Sequence, residues 1–120
     1  MPTQFKAKIA NVGQAVDRFL GEKLLLVFSN ADVMSEVKNY SVLITDIDFP
    51  GHIEAGQCLC ISGQCFEITA VGDIAEKNLR TINHVTFKAN GATEAEIPGT
   101  IYLEDKPFPE IKQNTWIEIK

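Results

Sequence analysis

The run Cys58-Leu-Cys-Ile-Ser-Gly-Gln-Cys-Phe-Glu-Ile-Thr-Ala-Val71 decides the fold class. Two strand-length apolar segments, Cys58 to Ile61 and Cys65 to Val71, flank Ser62-Gly63-Gln64. A short glycine-containing connection between two such segments reads as a β-hairpin. Toward the amino terminus the same kind of signal recurs. Pro50-Gly51 marks a turn, and Tyr40 to Thr45 before it reads as a strand. Leu24 to Ser29 is an apolar run that predicts a strand buried on both faces. Thr3 to Ala10 alternates, with Phe5, Ala7 and Ile9 on one face and Gln4, Lys6 and Lys8 on the other, the period of a half-buried strand.

Toward the carboxyl terminus, His84 to Lys88 alternates again, with Val85 and Phe87 opposite His84, Thr86 and Lys88. Gly99 to Leu103 and Thr115 to Ile119 complete the strands, separated by a loop around Lys106-Pro107-Phe108-Pro109. Helical spacing is confined to short pieces. Val12, Ala15, Val16, Phe19 and Leu20 predict one helix, with Asn11 as N-cap and Gly21 as its stop. Asn30 caps a second turn carrying Val33, Met34 and Val37. Asp73 and Glu76 have capping-box spacing ahead of the stripe Ala75, Leu79 and Ile82. The expected fold is therefore all-β, a single-domain closed barrel or sandwich of seven to eight short strands with two or three short helices over residues 1–120.

Composition agrees with an ordinary globular domain. The 120 residues are 45% hydrophobic and 22% charged, within the usual range for a packed core. No stretch approaches the roughly 18 to 20 apolar residues that span a bilayer, and Met1 to Lys8 lacks a basic region followed by an apolar one. The expectation is a cytoplasmic protein without membrane insertion. A net charge of −5 and a pI near 4.9 speak against a nucleic-acid partner, whose phosphates would be repelled. The odd count of cysteines, Cys58, Cys60 and Cys65, fits a reducing compartment better than a disulfide framework. Their spacing lacks a fourth ligand and is not a standard zinc arrangement, so they read first as strand or core residues, with a metal or redox role as the alternative and no metal or cofactor expected.

Three segments carry a resemblance: TAVGDIAEKNL at Thr69–Leu79, HVTF at His84–Phe87 and EAEIPGT at Glu94–Thr100, with KIANVGQAV at Lys8–Val16 in support. In combination they resemble the glucitol/sorbitol-specific IIA component of the bacterial sugar phosphotransferase system. The resemblance implies a phosphocarrier that takes a phosphoryl group from HPr onto a histidine. It implies transfer onward to IIB, which phosphorylates the incoming hexitol at the membrane-bound IIC. The competing reading is a homologue that keeps the fold and acts as a binding or regulatory module.

The family pattern, followed back from Thr69, places its accepting histidine near Ile44, Thr45 and Asp46, where this chain has none. His52, after Pro50-Gly51, and His84, in the matching HVTF segment, are the alternative acceptors. Thr86 and Lys88, on the expected face of His84, are the candidate phosphate-stabilising groups. Asp46 and Asp48 could bind a cation or act as acid and base, though two aspartates before a turn read more simply as solvated. Glu94 and Glu96 read as solvating their turn, and Trp116 as core. There is no phosphate-cradling glycine loop, no G-x-S-x-G and no H-E-x-x-H. Edge strands in a small β domain are compatible with a homodimer.

Overall fold

The computed structural model describes residues 3–29 and 38–120. Its strands are β1 (Phe5–Val12), β2 (Leu24–Ser29), β3 (Val42–Asp48), β4 (Cys58–Ile61), β5 (Gln64–Val71), β6 (Val85–Lys88), β7 (Thr100–Leu103) and β8 (Trp116–Ile119), with helices α1 (Val16–Gly21) and α2 (Ala75–Thr81) between them. The helical turn expected from Asn30 to Val37 lies outside the described residues.

The strands form a closed barrel in the order β1-β3-β2-β6-β7-β5-β4-β8, with β8 returning to β1. The all-β expectation holds, and the barrel rather than the sandwich is its form. Period-two alternation explains the core. Phe5, Ala7 and Ile9 of β1, Leu25 and Val27 of β2, Leu59 and Ile61 of β4, Phe66 and Ile68 of β5, and Ile117 and Ile119 of β8 all join one buried cluster. A barrel of eight strands has an interior that such side chains just fill. The pairs β2–β3 and β6–β7 are parallel, so each needs a crossover connection along the outside of the barrel. The crossover before β7 explains why Tyr102 is buried on the outer face: its hydroxyl accepts the Ile97 N–H at 3.0 Å.

Three local expectations are corrected. β2 is buried on one face only; Leu24, Leu26 and Phe28 are half-exposed. β1 runs past Ala10 because Asn11 and Val12 pair with Leu43 and Val42, and the Asn11 Oδ1 accepts the Val12 N–H instead of capping a helix. The capping box does not form either. α2 starts after Ile74 without a side-chain cap, and its Glu76 turns to another part of the molecule.

The hairpin between β4 and β5 turns on two residues, Ser62 and Gly63, with φ of 49° and 82°. Paired left-handed residues match the twist of the strands they join. Cys60 and Cys65 then stand directly opposite each other, 4.0 Å apart at Cα, and form a disulfide, while Cys58 is free. The expectation of three reduced thiols is corrected on this point. Cross-strand register brings two of them together, and all three sit outside the core.

Register fixes which loops share one end of the barrel. β2, β3, β5 and β8 finish there, while β1, β4, β6 and β7 begin there. The 49–57 loop, α2 and the turn before β7 therefore crowd together. Gly72 makes this crowding possible: a Cβ there would lie 2.1 Å from the Pro98 carbonyl oxygen. Gly72→Ala is expected to cost roughly 1–3 kcal/mol by overpacking. Gly21, in open space at the end of α1, gives the contrast, with Gly21→Ala gaining up to about 1 kcal/mol. Urea denaturation of the two variants measures both.

Candidate functional site at one end of the barrel

The crowded end carries the histidines. His52 lies in the 49–57 loop, and its backbone is pinned on both sides. Its N–H donates to the Gln4 Oε1 at 3.1 Å, and its carbonyl accepts from the Gln57 Nε2 at 3.0 Å. The neighbouring Gly51 leaves room for this contact, since a Cβ there would fall 1.8 Å from the Gln4 side-chain oxygen and displace that amide. The imidazole itself is 76% exposed.

Glu76 of α2 reaches across to this loop. Its Oε1 accepts the Ile53 N–H at 2.7 Å, and its Oε2 lies 3.0 Å from the His52 Nδ1. Arg80, one helical turn further, places its Nε 3.8 Å from the same oxygen. The Arg80 guanidinium also donates to the carbonyls of Phe49, at 3.3 Å, and Gly51. It lies 4.0 Å over the Phe49 ring, which packs edge-on against core residue Phe5. Burial alone would raise the Glu76 pKa. The Ile53 N–H, His52 and Arg80 together outweigh it and hold the carboxyl below its ordinary value of 4.5. Glu76 and Arg80 had no functional reading in the sequence, although an i,i+4 Glu–Arg pair on a short helix was the available signal.

His84 sits just before β6, at the far end of α2. Its ring stacks on Phe28 with centroids 4.0 Å apart. A cavity of about 300 Å³ opens beside it, lined by Phe28, Thr81, Ile82, Asn83 and His84. Burial lowers the His84 pKa below 6.5 and favours its neutral form. Thr86 and Lys88 do share its outer face, half-buried. The three do not converge, because strand rise sets His84 and Lys88 roughly 13 Å apart.

The position expected for an acceptor holds none. Ile44 points into the core, fully buried, and Thr45 precedes a bulge where Asp46 has φ of 51°. Asp46 and Asp48 are exposed there. Among the described residues, no group of three or more His, Cys, Asp or Glu is placed to hold a metal ion. No helix among them is long and apolar enough to cross a membrane.

The family profile described as "PTS system glucitol/sorbitol-specific IIA component" matches residues 4–118. The chain belongs to this family. A glucitol/sorbitol-specific EIIA component of Shigella flexneri is 27% identical over 110 residues, covering 92% of this chain and 88% of that one, and the Escherichia coli component matches to the same extent. The crystal structure of a PTS system IIA component from Enterococcus faecalis superposes with a TM-score of 0.78 at 28% identity, covering 93% of this chain and 96% of that one. This IIA-family chain thus keeps the family barrel while carrying a buried isoleucine where the acceptor was expected.

Glu76 also sets a pH dependence. A carboxyl whose pKa is lowered by folding contributes stability above its unfolded value and loses that contribution as pH falls through the folded one. Glu76→Gln is expected to destabilise by about 1 kcal/mol at about pH 7, and by progressively less as pH falls below 4.5 and through the lowered folded value. Urea titrations of both proteins over a series of pH values check the trend.

Proposed function

We propose that this chain is a phosphoryl relay of the glucitol/sorbitol uptake system and that the His52 Nε2 is its acceptor. The observation that carries the choice is the carboxylate of Glu76 on the His52 Nδ1. With the proton on Nδ1, held by Glu76, the Nε2 lone pair is free and faces solvent. The nitrogen attacks the phosphorus of phosphohistidine on HPr. A new N–P bond forms as the donor's N–P bond breaks, and the donor imidazole leaves with its electron pair. A nucleophilic side chain of IIB then takes the group from His52 in the same way, for delivery to the hexitol at IIC. Glu76 offsets the positive charge that the ring gains on phosphorylation. Arg80 holds the 49–51 turn in place and supplies a cation beside the incoming phosphoryl oxygens. Exchange with HPr assigns the work to the cytoplasm.

His84 is supported as a second acceptor by one observation. Strand register sets Leu43, next to Ile44, beside Phe28 of β2, and Phe28 stacks on His84. His84 thus lies two strands across from the expected position. Among the described residues, however, no carboxylate is hydrogen-bonded to its ring, and its stacking leaves less room for a donor.

Incubation with phosphoenolpyruvate, enzyme I and HPr, followed by intact mass, tests the assignment. The expected result is an acid-labile gain of one phosphoryl group that His52→Ala abolishes and His84→Ala retains. Glu76→Gln should slow uptake roughly 10- to 100-fold, as loss of an orienting carboxylate does. Loss in His84→Ala alone would move the acceptor to His84. No gain, beside a phosphorylated Escherichia coli component, would replace the relay with a binding module.

A further inference from the structure

We infer that the exposed isoleucines around α2 form the face on which the phosphoryl-carrying partner docks, and that this partner presents a basic rim. The inference rests on the relay reading, because direct transfer between two proteins requires one to cover the acceptor of the other. Reacting atoms must come within about 3–3.5 Å. A stable protein contact buries roughly 800 Å² on each side, a patch of about 16 Å radius around the His52 ring.

Four large hydrophobic residues among the described ones are strongly exposed: Ile74 at 45%, Ile82 at 57%, Ile97 at 52% and Trp116 at 43%. Three of them lie at the His52 end. Ile74 and Ile82 bracket α2, and the Ile74 N–H donates to the Pro98 carbonyl at 3.0 Å, which sets Ile97 beside it. Trp116 lies elsewhere on the barrel wall and already has the Lys6 ammonium over its ring at 4.8 Å. The three isoleucines therefore share a location that chance exposure of single residues does not explain. They run along one flank of α2, while Glu76 and Arg80 on the other flank hold His52.

Charge selects the partner. Asp73, Glu94 and Glu96 are exposed and flank Ile74 and Ile97 in sequence, and Lys77 and Arg80 are the exposed cations of α2. The chain as a whole carries −5. An acidic rim around an apolar strip is complementary to a basic rim around an apolar centre, which speeds encounter and fixes orientation. Another acidic copy of this chain fits the face less well.

Isothermal titration of the purified chain with unphosphorylated HPr tests the inference without relying on transfer. The Ile82→Lys/Ile97→Lys double variant is expected to raise Kd at least tenfold, and Ile82→Glu/Ile97→Glu to raise it less. Trp116→Lys, also exposed but off the face, should leave Kd unchanged. An unchanged Kd in the folded double variants, or no binding by the wild type, overturns the docking face. A tenfold weakening alongside a wild type that never gains a phosphoryl group would instead sink the relay and leave the face standing.

Discussion

The pairing of the first strand with the last is the constraint on which this molecule depends. β1 lies between β3 and β8, with Phe5 opposite Ile119 and Lys8 opposite Trp116. That contact turns a curled sheet into a barrel. Closure buries Phe5, Ile117 and Ile119 in the shared core and gives each of the eight described strands a neighbour on both sides.

Closure also decides where chemistry can happen. The interior is filled by side chains, and the two histidines lie outside it, at one end of the barrel. The register gathers the 49–57 loop, α2 and the turn before β7 at that end. Rigidity there comes from a few polar anchors. Glu76 bonds the backbone and side chain of consecutive residues, and Arg80 bonds two carbonyls of the same loop. An exposed histidine held this way pays little ordering cost when a partner arrives.

Ile44 fits its place in the barrel for a plain reason. A β-strand position facing the core accepts an apolar side chain readily, and an isoleucine there packs against Ile9 and Ser29 across the neighbouring strands. A phosphoryl relay needs only one oriented, accessible imidazole and a nearby cation, so the requirement is on geometry at the barrel end and not on one residue number. His52, Glu76 and Arg80 come from different segments and are brought together there, as the proposed relay requires.

The sequence by itself determined the strand periods, the hairpin at Ser62-Gly63, the absence of a histidine at Ile44, and the family motifs from Thr69 to Thr100. Those are local properties: alternation and turn chemistry depend on residues within a few positions of each other. What only the tertiary structure decided is everything that joins distant segments. Barrel instead of sandwich follows from β1 meeting β8, more than a hundred residues apart. The Cys60–Cys65 bridge follows from cross-strand register, which spacing alone does not give. Glu76 read as a cap for its own helix, and it serves the His52 loop because closure brings within its reach the His52 imidazole and the Ile53 backbone N–H.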